Sequence, residues 1–373
     1  MTRILSSFAE VGQDDSKPRS SGTGGGLRTT FRRVAILVLV ISLLPLAWFL
    51  VFPQKEKVSP NSYPNFRVEF FDQHAGVIIG PRVFHTKDGG RTWSVIDYVR
   101  PSDSFKAKDG PKYAKHLVHF VDPEWAWRIS PVASESVEYT KDGGQSWSEP
   151  INTGVKLRTC LVFVTREIGW VLGDAPVVTR DGGLTWRKEN ALANLRLQYP
   201  YFLDRSHGWL ANYWGVIART RDGGQSWNIL HTPLKQIRSL FFVTPEQGWA
   251  VGDDGLVAST GNGGIDWTIK GVPVPYNTNR KARTELLDVF FLTPDLGWIV
   301  GENGLILTTT DAGQNWNRAP MQTRAPLSSV RFTDALHGWA VGGEGTPSVP
   351  IVPPSNVVLE TSDGGRTWRV KTF

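Results

Sequence analysis

From about residue 66 onward, apolar positions recur in short alternating runs. Val68 and Phe70, Val118 and Phe120, Leu161 and Phe163, Leu240 and Phe242, Val289 and Phe291, and Val330 and Phe332 each stand two residues apart. Pro200 and Phe202 keep the spacing but lose the first aliphatic side chain. An i, i+2 pattern predicts a strand with one face buried. Six residues after each phenylalanine comes a glycine (alanine at 126), usually followed by tryptophan, as in GWVLG, GWAVG and GWIVG. This predicts a second strand. A third precedes an eight-residue polar word, and a fourth begins at the tryptophan that closes it. No stretch of this region sustains a 3.6-residue period.

The word is TKDGGRTW at 86–93, and it returns as TKDGGQSW, TRDGGLTW, TRDGGQSW, TGNGGIDW, TTDAGQNW and TSDGGRTW. Its acidic position falls at Asp88, Asp142, Asp181, Asp222, Asn262, Asp311 and Asp363. Its closing tryptophan falls at Trp93, Trp147, Trp186, Trp227, Trp267, Trp316 and Trp368. Seven copies of a four-strand unit predict an all-β fold, a seven-bladed β-propeller of four-stranded blades spanning 65–373. Every unit starts in the same phase, so the ring is expected to close by packing the seventh blade on the first, without strand exchange. The word itself reads as a hairpin turn: Asp bonds nearby backbone N–H groups, Gly supplies positive φ, and Trp packs beneath. A calcium loop needs further oxygen ligands in register, and a phosphate loop needs GxxxxGK[ST]; neither is present. No metal and no cofactor are expected.

These words match the Asp-box, or BNR, repeat pattern. The longer unit, F-x5-G-W-x-V-G followed by T-x-D-G-G-x-T-W, resembles the photosystem II stability and assembly factor family over residues 64–373. The resemblance implies a non-enzymatic, membrane-associated propeller that binds a protein partner and assists assembly or stability of a membrane complex.

Ahead of the repeats, Val34 to Phe52 is a 19-residue run without charge. It is long enough to cross a bilayer as one helix, with a polar 1–33 tail before it and a linker, 53–64, after it. Arg28, Arg32 and Arg33 flank its N-terminal side, so the tail is expected to stay cytoplasmic and the propeller to lie in a periplasm or lumen. Charge follows the same division. The formal net charge is +6, of which residues 1–57 contribute +4. The basic balance is therefore largely an anchor property, which removes the main support for nucleic-acid binding.

Connections between blades, and between second and third strands, should share the face opposite the Asp boxes. Long ones occur at 97–114, 271–284 and 342–356. On that face the first strands are approached by Lys115, Arg158, Arg196, Arg238 and Arg283, with Lys156 and Lys281 beside them. Farther out stand Asp174, Asp253, Asp254, Glu302 and Glu344. A basic inner patch with an acidic rim is the expected partner-binding site, since Arg is suited to capture carboxylates. Asp-box propellers include glycosidases, so a sialidase-like hydrolase is the alternative, with Glu69, Glu285 and Asp288 as carboxylate candidates. GPRVF at 80–84 lacks the Arg-Ile-Pro word of sialidases, and Tyr199 has no partner glutamate. The single cysteine, Cys160, is expected on a packed strand, and His207 and His337 in structural turns.

Overall fold

The computed structural model describes residues 66–80, 82–98, 118–130, 133, 135–155, 160–270, 272, 284–344 and 355–371. The sequence-predicted anchor at 34–52 lies outside these residues. Among the described residues, no helix is long and apolar enough to cross a membrane.

The described residues form seven four-stranded antiparallel sheets, each a simple meander of consecutive strands. The first strands are Arg67–Phe70, Val118–Phe120, Cys160–Phe163, Tyr199–Phe202, Ile237–Phe242, Leu286–Phe291 and Leu327–Phe332. Neighbouring blades meet through these strands, which places them around the axis. The outer strand of blade 7, Arg369–Lys371, comes from its own segment, as the common phase of the repeats predicts. Closure uses Ser328 Oγ, which donates to Phe66 O at 2.7 Å, and Val68 N, which donates to Ser329 Oγ at 3.3 Å.

The six-residue spacing from Phe to Gly has a steric cause. The two residues face each other across the first two strands, as in Phe242↔Gly248. A Cβ on Gly248 would lie 2.3 Å from the Phe242 ring. The glycine lets that ring lie flat across the strand pair, where the preceding blade's tryptophan covers it. Trp127 stacks on Phe163, Trp209 on Phe242, Trp249 on Phe291 and Trp298 on Phe332, with ring centroids 3.5–3.8 Å apart. Trp170 packs on Phe202 at 5.2 Å, and Trp339 reaches Phe70 across the closing seam at 4.4 Å. Blade 1 carries Val77 at this position, and His85 packs edge-on against Phe120 instead.

Each Asp box is closed by its own side chains. Thr86 Oγ1 donates to Asp88 Oδ1 and accepts from Gly90 N. Asp88 Oδ1 accepts from Thr92 N at 2.8 Å, and Oδ2 accepts from Thr92 Oγ1 at 2.6 Å. Trp93 Nε1 donates to Gly90 O. The two irregular copies keep the second contact with altered donors. Asn262 Nδ2 donates to Asp266 Oδ2, and Asn315 Nδ2 donates to Asp311 Oδ2. The boxes also fasten blades together: Trp127, Trp209, Trp249 and Trp298 donate from Nε1 to box carbonyls of the next blade at 2.9–3.2 Å. These second-strand indoles are almost fully buried, whereas most box tryptophans are only partly so.

Ala312 occupies the first-glycine position of the sixth box at φ 59°. Its N–H reaches Asp295 O at 3.1 Å, whereas the glycine counterparts span 2.7–3.0 Å. A left-handed alanine costs about 1 kcal/mol over glycine. Ala312→Gly is therefore expected to stabilise the propeller by about 1 kcal/mol in urea denaturation, and an unchanged or lower midpoint would refute it.

Candidate functional site

The face opposite the Asp boxes carries the turns from second to third strands and the links between blades. Of the expected cations, Lys115, Arg158 and Arg283 lie outside the described residues, as do Lys156 and Lys281 and most of the long connections. The third connection is shorter than its sequence suggests. Gly343 pairs with Asn356 and Glu344 with Ser355, so two seven-residue strands extend into it.

Arg196 and Arg238 are described, and they differ sharply. Arg238 is the second residue of the first strand of blade 5 and binds two acids. Its Nε donates to Asp253 Oδ1 at 2.7 Å, and Nη2 donates to Glu285 Oε2 at 3.2 Å, reaching blade 6. Its guanidinium lies 5.4 Å from the Tyr213 ring centroid, and Tyr213 donates its hydroxyl to Asp253 Oδ2. Burial works against the charge on Arg238. The Asp253 hydrogen bond and the surrounding negative charges outweigh it and hold its pKa above the usual arginine range. Reversing this charge would leave two buried carboxylates facing a third, so Arg238 belongs to the framework of the site. Arg196 is the opposite case. It sits at φ 52° on the link into blade 4 and meets Asp174 at 3.3 Å, with side-chain exposures of 66% and 80%. Such a pair contributes at most about 1 kcal/mol and is readily exchanged.

The glycosidase carboxylates are also tied to arginines. Asp288 accepts from Arg331 Nη1 at 2.7 Å, Val330 N at 3.1 Å and Ser239 Oγ at 2.8 Å, joining blades 5, 6 and 7. Glu69 pairs with Arg67, whose Nη1 lies 3.3 Å from His119 Nδ1 of blade 2. With the Ser328 and Ser329 bonds, these contacts form a polar belt on the inner strands from blade 5 round to blade 2. Cys160 is buried in a first strand. His207 and His337 each meet the carboxylate three residues earlier in their own turn, Asp204 and Asp334, both at 2.9 Å, and are turn residues as expected.

Sequence reasoning missed Trp214. It stands in the second-to-third turn of blade 4, where other blades carry acids, and is 57% exposed. The signal was the aromatic pair in NYWG, at a place where blades 5 and 6 read GDDG and GENG.

Residues 225–331 match the sequence model of a family described as photosynthesis system II assembly factor YCF48. The chain resembles that family. Among solved structures, one described as YCF48 bound to D1 peptide is 19% identical, with a TM-score of 0.59, and the match covers 82% of this chain and 93% of that one. YCF48 from Cyanidioschyzon merolae is 18% identical, with a TM-score of 0.55 and coverage of 82% and 97%. A GH74 xyloglucanase from Xanthomonas campestris is 9% identical, with a TM-score of 0.57 and coverage of 83% and 67%. At these identities the structures share the fold. No curated protein matches the chain.

Proposed function

We propose that the chain is a non-enzymatic, membrane-tethered propeller that grips an exposed segment of a membrane-complex subunit and assists that complex's assembly or stability, as the photosystem II assembly factors it resembles do. The observation that carries this reading is the YCF48 family match within 225–331, joined to a similar propeller described as bound to a D1 peptide. The binding surface is the face opposite the Asp boxes, with Arg196 among its exposed cations and Lys115, Arg158 and Arg283 as further contributors from sequence. The anchor at 34–52 keeps the propeller at the membrane surface, outside the cytoplasm. Hydrolysis is disfavoured because Glu285 and Asp288 serve as arginine partners between blades. A general acid must instead hold a proton next to substrate.

The test uses the full chain recovered in detergent from carbonate-washed membranes and a fluorescein-labelled D1 peptide. Saturable binding that weakens as salt rises is the expected result. A chain that washes off with carbonate would defeat the tether, and no binding at any salt concentration would defeat the assembly reading.

A further inference from the structure

Trp214 is an exposed indole on a turn whose neighbouring residues are all tied down. Asn212, 4% exposed, accepts through Oδ1 from Trp214 N at 2.9 Å and Val216 N at 3.0 Å. Its Nδ2 donates to Leu195 O at 2.8 Å. Tyr213 is held at both ends: its carbonyl accepts from Gln236 N at 2.6 Å and its hydroxyl reaches Asp253. Gly215, at φ 92°, accepts through its carbonyl from both Thr232 N and Thr232 Oγ1. A Cβ there would lie 2.0 Å from Leu234 O, so only glycine permits this close approach. The indole itself stands edge-on to Tyr213 at 6.1 Å.

The two segments bonded to this turn each carry a cation beside the bonded residue. Arg196 follows Leu195, and Lys235, exposed, precedes Gln236. Among the described residues, Arg196 is held by the exposed Asp174 contact alone. A single exposed apolar side chain is ordinary on a protein surface. A tryptophan on an over-determined turn, with a cation on each bonded flank, has the features of a binding hot spot: large area, little ordering cost and charge selectivity.

We infer that Trp214 is a docking platform for an extended acidic peptide segment, which lays an apolar side chain on the indole while its carboxylates engage Arg196 and Lys235. The inference rests on the protein-binding reading above and adds the partner's chemistry. The peptide carboxylate displaces Asp174 from Arg196, an exchange the exposed pair permits at little cost.

The probe is a displayed library of random twelve-residue peptides, selected on the full chain in detergent. Selected peptides are expected to carry an apolar residue flanked by Asp or Glu. They should bind Trp214→Ala at least tenfold more weakly, Trp214→Phe within about threefold of the parent, and the Arg196→Glu, Lys235→Glu double variant at least tenfold more weakly. Selected peptides that bind Trp214→Ala as well as the parent, or that lack acidic residues, would overturn the inference. The D1 peptide separates the two readings. If it fails while library peptides need Trp214, the assembly role falls and the platform stands. If it binds with no dependence on Trp214, the platform falls and the assembly role stands.

Discussion

Asp288→Ala should destabilise the propeller by about 3–5 kcal/mol, the largest loss expected from any single side chain of the polar belt. Asp288 is 6% exposed and accepts three hydrogen bonds from two neighbouring blades. Its removal leaves the Arg331 guanidinium without the carboxylate that holds its charge. Burial lowers the Arg331 pKa, and Asp288 leads the charges that raise it back above the usual range. The Val330 N–H also loses its acceptor. Asp288→Asn, with its amide oxygen at the Oδ2 position, still accepts from Val330 N and turns its NH2 to donate to Ser239 Oγ, and should cost less. The Asp288→Leu, Arg331→Met double variant removes both charges and should recover much of the Ala loss, since an apolar pair avoids the desolvation penalty. Urea midpoints of the three variants decide the matter. An Asp288→Ala midpoint within about 1 kcal/mol of the parent would show that the belt contributes little.

Acidification should weaken the fold in two stages. The first comes from His85, whose pKa is lowered from 6.5 to about 4 by burial and then by the Lys87 charge. Its Nε2 is buried without a partner among the described residues. Above pH 6.5 His85 is neutral in both folded and unfolded chains and adds no pH dependence. Below 6.5 the unfolded chain takes up a proton that the folded chain refuses, so stability falls until about pH 4 and then levels. The loss attributable to His85 is on the order of 3 kcal/mol. His119, buried beside Arg67, is shifted in the same direction and adds to it. The second stage belongs to the Asp boxes. Asp88, Asp142, Asp222, Asp311 and Asp363 are lowered to about 2, with hydrogen bonds from the box Thr, Ser or Asn as the leading causes. Groups depressed in this way stabilise the fold above their unfolded value of 3.8, and that support is lost as pH falls from there to about 2. His85→Phe keeps a ring against Phe120 and should flatten the slope between pH 6.5 and 4 while leaving the lower stage in place. A slope unchanged in that variant would assign the first stage elsewhere.

The ring was legible because the repeat reports its own geometry. The Phe-to-Gly spacing is a direct contact between facing residues, and the box is a turn whose Thr and Asp side chains bond within its own eight residues. Both are local, so sequence spacing carries them. Interactions between blades were not legible. Nothing in the order of residues says that Trp298 lies over Phe332 with its Nε1 on Gly364 O, 66 positions away. For the same reason Arg238 read as a cation waiting for a ligand, although Asp253 and Glu285 already hold it. Arg196, on the link that leads into the first strand of the preceding blade, remains accessible because its acid is itself at the surface. Trp214 escaped notice because these turns read most clearly through their charges, and an indole carries none.

The stacking between blades has a polarity with consequences for synthesis. Each Gly-Trp indole is covered by the blade that follows it in the chain, and Trp339 turns back to Phe70. A chain emerging from the ribosome therefore conceals each hydrophobic ledge with the next segment to appear. At any moment a growing arc presents just two adhesive ends, one at the newest blade and one at the oldest, and completion of the last blade removes both together.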